Sequence, residues 1–282
     1  MRQIVIISML VVSSFLLAGC VVSVGGEGVG LFDGERIEDS RHIENVGEVV
    51  MAARGSLHIT QGESESLRME GRKSAVDDLK IYQRGDVLII DNRIDFDFPL
   101  ITWSRPDKVD IYLSVKSIDA ITLKGHGDID MRKLKAENMH LDLTGHGDMH
   151  LGNIVADSLF VTLHGHGDIR LDEVVAQRVE TELEGHGDIH IDYLDAEKVG
   201  IDIEGHGEIR MAGKTVLQRI DIDGHGDYYG DGLASRETDV TVQGHGSAEV
   251  WARDVLSMDV DRHATVNYRG DPEVYYLGDD VK

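Results

Sequence analysis

The sequence predicts an all-β chain, a right-handed parallel β-helix or solenoid with coils of about 20 residues. Three observations predict it. Gly-His-Gly recurs with its histidine at His126, His146, His166, His186, His206, His225 and His245, a constant step shortened by a single position between His206 and His225. A degenerate copy, Arg262-His263-Ala264, follows after one slightly shorter step. Within each unit apolar and polar residues alternate at period two, which is the pattern of a strand and not of a helix. Proline, which removes a ladder donor, occurs only 3 times in 282 residues.

The elements follow from the same pattern. Counted from the histidine, positions −5 and −3 are mostly aliphatic (Ile121/Leu123, Leu141/Leu143, Val161/Leu163), as are +3 and +5 (Ile129/Met131, Met149/Leu151, Ile169/Leu171). An apolar residue at +8 (Leu134, Ile154, Val174, Leu194) and an alanine at +10 (Ala136, Ala156, Ala176, Ala196) complete the unit. One coil cannot bury its apolar side alone, whereas stacked coils bury continuous columns. Aromatic residues make up 5% of the chain, so the predicted core is aliphatic and thin. Before Ile121 the chain is strand-rich without a visible repeat, at Ser56–Thr60, Ser66–Glu70, Leu79–Tyr82, Val87–Asp91 and Val109–Val115. Residues 42–120 are therefore predicted as irregular opening coils, continuous with repeat coils and a C-terminal cap over 121–282. Trp103, Tyr112, Tyr268, Tyr275 and Tyr276 are expected to cover the solenoid ends, which otherwise expose unpaired strands.

The N-terminus reads as a targeting segment. Arg2 precedes an apolar run from Ile4 to Leu17, too short to span a bilayer as a helix. It ends in Leu17-Ala18-Gly19-Cys20, which resembles the lipobox of bacterial lipoproteins. That resemblance implies a signal peptide over 1–19, acylation of Cys20, and a membrane partner reached through the lipid anchor. Cys20 is the only cysteine, so it has no disulfide partner within the chain. Residues 20–41 carry Gly25-Gly26-Glu27-Gly28 and read as a flexible tether. Val21, where an aspartate would signal retention, points by the same resemblance to the outer membrane of the cell envelope. The formal charge of −24 becomes −25 once Arg2 is removed. Such a surface repels nucleic acid, and no basic cluster offers a phosphate footprint.

Several stretches resemble one family. Ser56-Leu-His-Ile-Thr-Gln-Gly62, Ser66-Leu-Arg-Met-Glu-Gly71, Val87-Leu-Ile-Ile90 and Lys108-Val-Asp-Ile-Tyr-Leu113 lead into Ile121-Thr-Leu-Lys-Gly125-His-Gly-Asp128. This succession, with the closing Val266-Asn-Tyr-Arg-Gly-Asp-Pro-Glu-Val274, is similar to the head GIN domain family of bacterial lipoproteins, named for auto-transporter adhesins. The resemblance covers about residues 42–278 and implies a β-helical fold without catalytic residues. Where relatives commonly carry Gly-Ser-Gly, this chain carries histidine every time.

The histidine motif is the candidate site. The apolar positions are odd, so unbroken alternation turns the glycines at −1 and +1 inward and the histidine and the acid at +2 outward. The acids are Asp128, Asp148, Asp168, Asp188, Glu208 and Asp227. Coils about 4.8 Å apart would then carry a histidine row beside a carboxylate row. Like charges at that spacing repel by about 1 kcal/mol in water and about 3–4 kcal/mol at an effective dielectric of 20. Any cation nearby relieves this. Neutral imidazole suits zinc, copper and nickel, and the central coils, with His166, His186 and His206 near His164, Glu184, Glu204 and His190, look best supplied. Two other readings stand beside it. The imidazoles can form a purely structural ladder while the acids accept backbone hydrogen bonds, or the face can respond to pH. Calcium fits less well, since the motif does not resemble the calcium-binding nonapeptide repeats.

Catalysis is not expected. Ionisable residues are spread evenly along the repeats instead of gathering into one acid–base constellation, and no phosphate loop, catalytic triad or closed zinc motif is present. The sequence leaves a binding or adhesion module for glycan or protein at the cell surface, or a self-associating scaffold. Scarce aromatics argue mildly against sugar stacking.

Overall fold

The computed structural model describes residues 35–92 and 108–277. Trp103, Cys20 and the segments read as signal peptide and most of the tether lie outside these residues. The described residues begin with β1 (Arg36–Arg41), β2 (Glu48–Met51), β3 (Gly55–Gln61) and β4 (Ser66–Arg72). The short helix α1 (Lys73–Asp77), β5 (Lys80–Arg84), β6 (Val87–Asp91) and β7 (Val109–Val115) follow. These strands contain every one predicted before Ile121 except Leu79–Tyr82, which begins one residue ahead of β5. Strand β1 starts inside the stretch read as tether, because its backbone pairs antiparallel with β4.

The repeats form β8 (Ala120–Gly125), β9 (Asp128–Lys135), β10 (Asn138–Gly145) and β11 (Met149–Gly165). They continue as β12 (Ile169–Gly185), β13 (Asp188–Gly205), β14 (Glu208–Gly224), β15 (Asp227–Gly244) and β16 (Ser247–Val260). The last described strands are β17 (Thr265–Arg269) and β18 (Glu273–Tyr276). Adjacent repeat strands pair in parallel and in register, Met149 with Ile169 and Leu163 with Leu183, so sequence period becomes rung spacing. The β11–β12 pairing skips Gly152 and Asp157, dividing each coil into three ladder segments.

The core is the set of aliphatic columns that the alternation requires. Val161, Leu163, Ile169, Leu171 and Val174 are buried, and each fully buried side chain of this kind contributes about 1.5–3 kcal/mol. A further inward column at position −7 (Met139, Leu159, Val179, Val199) joins them; it lies beyond the alternating pairs that define the motif. Toward the C-terminus this column turns polar at Gln218 and Thr238. There the fully buried Tyr228 accepts a hydrogen bond from Gln218 Nε2 at 2.5 Å, and Ser235 bonds Thr238. Burial pushes the Tyr228 phenol far above its ordinary range, so it stays neutral.

The opening coils are not stacked in chain order. Strands β2 and β3 pair in parallel with β6 and β7 on one side and with β8 and β9 on the other. The β6–β7 rung therefore lies outside the β2–β3 rung, although it follows it in sequence. Beyond it, β4 pairs antiparallel with β7 and β5 antiparallel with β6, closing that end together with the buried Val76 of α1. The other end differs from expectation. Tyr268, Tyr275 and Tyr276 are 46%, 46% and 58% exposed: Tyr268 and Tyr276 stand in register over the core residues Val250 and Met258 of the rung below, with no further described rung to cover them, and Tyr275 lies on the opposite face. Among the described residues no helix is long and apolar enough to cross a membrane.

Candidate functional site

Each Gly-His-Gly sits where one rung ends and the next begins, and its two glycines do different jobs. Gly165 has φ +143°, a region that L side chains avoid, and a Cβ there would strike the Gly145 carbonyl oxygen of the preceding rung. It is half-buried, not inward as alternation predicts, because the chain turns at this residue. Gly167 is buried as predicted, with room for no Cβ against Gly147 of the rung below. Between them the backbone holds register: His166 N–H donates to Gly145 O at 2.9 Å and His186 N–H to Gly165 O at 2.9 Å.

This geometry sends every histidine side chain into solvent. The rings of His126, His146, His166, His186, His206, His225, His245 and His263 form one continuous stack, with centroids 4.8–5.1 Å apart. The rings are tilted by 31° and 26° at the first two steps and by 1–4° from His166 onward. Seven such intervals make a row about 35 Å long. The degenerate copy thus contributes a full rung. Among the described residues none of the eight rings hydrogen-bonds or pairs with a charged side chain; each interacts through its faces alone.

The acid row is built differently. Asp148 Oδ1 accepts the Asp168 N–H at 3.1 Å, Asp168 Oδ1 accepts the Asp188 N–H at 3.2 Å, and Asp188 Oδ1 accepts the Glu208 N–H at 3.2 Å. Each carboxylate satisfies the backbone of the next rung, where the corner interrupts the ladder. Asp128 pairs with Lys108 at 3.1 Å, Glu208 with Arg210 at 2.5 Å, and Asp227 accepts the Ser247 hydroxyl at 2.5 Å. Asp168 is held above the usual carboxylate range, first by burial and then by the charges of Asp188 and Asp148, against the pull of the Asp188 N–H. Histidine and acid rows share the outer surface without a single ion pair between them among the described residues. No group of three or more His, Cys, Asp or Glu side chains among the described residues is arranged to hold a metal ion. Stacked rings hold their in-plane nitrogens side by side, so no three of them converge on one point.

The ion pairs gather instead at position +4, a column the motif does not reveal. His150 lies between Asp172, at 2.9 Å, and Asp130, at 3.4 Å. The hydrogen bond to Asp172 raises its pKa, with Asp130 adding to the effect and partial burial opposing it. Arg170 and His190 share Asp192 at 2.5 and 2.6 Å. His164 pairs with Glu184 at 2.8 Å across rungs. Near β1 and β4 an open groove of about 420 Å³ is lined by Arg41, Thr60, Ser66 and Ser114. Its one aromatic, Tyr112, has His58 stacked at 5.1 Å and the Arg68 guanidinium at 4.3 Å from the neighbouring strands, so neither face is free for a sugar.

A family model for "putative auto-transporter adhesin, head GIN domain" matches residues 47–173 and again 160–272. The chain belongs to the head GIN domain family. The double match follows from the repeat, since two stretches of coils each satisfy one model. Crystal structures of the same architecture include a putative adhesin of Parabacteroides distasonis, 18% identical, with TM-score 0.64 over 87% of this chain and 94% of that one. A putative adhesin of Bacteroides fragilis is 17% identical, with TM-score 0.58 over 87% and 98%. A putative lipid binding protein of Parabacteroides distasonis is 17% identical, with TM-score 0.63 over 86% and 93%. At these identities the likeness is one of fold. No curated protein matches the chain in sequence.

Proposed function

We propose that this head GIN domain protein is a non-enzymatic binding or adhesion module of the bacterial cell envelope, held at the outer membrane by acylation of Cys20. The observation that carries the reading is the row of identical, exposed, unpaired rings, a one-dimensional repeat suited to an extended glycan or protein partner. Family membership and the adhesin descriptions of the similar structures support it. The carboxylates support it too: they are committed to backbone N–H groups and cations, and not gathered for acid–base work.

The test compares cells displaying the native chain, a chain with serine at the ladder histidines, and no chain, for attachment to glycan- and protein-coated surfaces. Attachment that requires the chain and falls in the serine variant supports the proposal. Equal attachment in all three overturns it. Cys20→Ser separates the anchor from the binding: the variant should leave the membrane fraction, and its continued presence there would refute acylation at this residue. A second reading, a self-associating scaffold, is favoured by the last rung, where Tyr276 and Leu277 are 58% and 68% exposed. Sedimentation of the full chain in detergent distinguishes it, because a scaffold sediments as an oligomer and loses that state on Tyr276→Ser with Leu277→Ser.

A further inference from the structure

We infer that the histidine stack binds borderline divalent transition-metal ions, zinc, copper or nickel, in pairs of neighbouring rungs, each ion held by the in-plane nitrogens of two successive imidazoles. The inference goes beyond adhesion and does not depend on it. Three features of the ladder carry it.

The first is availability. A neutral imidazole has one lone-pair nitrogen, and in the ladder no protein partner among the described residues engages it. Elsewhere in the molecule His150, His164 and His190 are all tied to carboxylates, unlike the rings of the ladder. Stacking needs only a flat ring, as His140 on Phe160 at 4.7 Å illustrates; what imidazole adds is a ligand atom.

The second is spacing. Zinc–nitrogen bonds of about 2.0–2.1 Å at a tetrahedral angle need two nitrogens about 3.3 Å apart. Rings 4.8–5.1 Å apart reach that distance when each inclines toward the other. The tilts of 31° and 26° at the first two steps show that the backbone does not lock ring orientation. Rings two rungs apart, at twice the spacing, cannot share an ion. A pair supplies two donors and leaves the remaining positions to water, which is consistent with the lack of any three-donor cluster among the described residues. Eight rings divide without overlap into four pairs, so the capacity is four ions per chain.

The third is the field. A chain of formal charge −24 concentrates cations at its surface, and carboxylates at +2 flank the row. They attract without choosing among divalent ions. The imidazoles choose, since nitrogen ligands favour zinc, copper and nickel over calcium and magnesium.

The prediction of pairs separates this reading from its rivals. Two variants of the full chain in detergent each keep four ladder histidines. One replaces alternate rungs with serine (His146, His186, His225 and His263), leaving no neighbours; the other replaces a contiguous block (His206, His225, His245 and His263). Isothermal titration with zinc, with calcium as control, should give up to four sites in the native chain, about half in the block variant, and none selective for zinc in the alternate variant. Equal binding by the two variants would mean single-ring adsorption, and equal binding by all three would place the ions on carboxylates. Either result, or no zinc binding by the native chain, overturns the inference. Should a variant fail to fold by circular dichroism, copper bound to the native chain reports directly: its electron paramagnetic resonance must show two coupled imidazole nitrogens, and one alone refutes the pair.

Discussion

Placing one methyl group at Gly187 tests the claim that the second glycine of each motif exists because the rungs touch there. An added Cβ would overlap the carbonyl oxygen of Gly167 and stand 2.9 Å from Leu163 Cδ2 and 3.2 Å from Gly167 C. The leucine can turn aside; the backbone oxygen cannot. Ordinary contact lies at about 3.5 Å, so the rung must withdraw by about 1 Å. That stretches the His186 N–H···O Gly165 bond from 2.9 Å and the Asp188 N–H···Oδ1 Asp168 bond from 3.2 Å past useful length. Two bonds at about 1 kcal/mol each, with about 1–3 kcal/mol of overpacking, make Gly187→Ala cost about 3–5 kcal/mol. At about 2–4 °C per kcal/mol for a domain of this size, the melting temperature should fall by about 10 °C. His186→Ala is the control: it removes an exposed ring and two stacks, costing about 1 kcal/mol. Thermal unfolding followed by circular dichroism ranks the pair. If Gly187→Ala melts no lower than His186→Ala, the close rung contact is not what the glycine serves.

Three further expectations follow from charge and burial. Asp168, its pKa raised by burial, binds its proton more tightly folded than unfolded, so its ionisation costs stability as pH rises from the unfolded value of about 3.9 through the folded one. Asp168→Asn keeps an acceptor for the Asp188 N–H, so it should match or exceed the native melting temperature at pH 7 and lose that advantage near pH 3; a variant less stable at pH 7 than at pH 3, relative to native, reverses the sign and the argument. His150 is raised by Asp172 and Asp130, so its stabilisation is complete below its unfolded pKa of about 6.5 and is lost as pH climbs through the folded value. His150→Gln should therefore destabilise more at pH 5.5 than at pH 8.5, by a fraction of a kcal/mol for a half-exposed group, and a penalty constant across that range counts against the pairing. In the core, Tyr228→Phe strips Gln218 Nε2 of its acceptor beside an Oε1 that has no partner among the described residues, and should cost about 1–3 kcal/mol. Adding Gln218→Met should recover most of it in urea unfolding, and a double variant no better than Tyr228→Phe would show that the amide is not the source.

The repeat made most of the architecture legible, for a physical reason. Parallel in-register stacking converts position in the repeating unit directly into a column, so the alternation alone places Val161, Leu163, Ile169 and Leu171 inside. The outward histidines follow from the same count. Alternation does not reach the first glycine, since a residue at φ +143° breaks the period by which it was being read. Nor does it reveal that the β2–β3 rung slips between two later ones, because those pairings join distant segments, Val49 to Leu88 and to Ile121, that share no repeat. The acid row was legible as outward and, in the structural reading, as accepting backbone hydrogen bonds, though not as accepting them from the next rung; of the +4 column only His190 was singled out, because aspartate, histidine and arginine vary there instead of repeating. The buried Gln218 and Tyr228 occupy columns that are apolar in the four rungs before them, from Met139 to Val199 and from Met149 to Ile209, which a consensus reading averages away.

The interleaved opening rungs carry a consequence for how the chain acquires its shape. From β10 onward each rung needs only the coil made just before it, so those coils add one upon another like courses of brick. The foundation is different: Val49 must wait for Leu88 on one flank and Ile121 on the other. As the chain is made from its N-terminus, β2 and β3 emerge first and stay bare on both edges until β6 through β9 have appeared. Unpaired strands of this kind invite wrong partners, and contacts distant in sequence form slowly. The histidine row, for all its regularity, is thus stacked on a foundation whose pairings span the greatest distances in sequence.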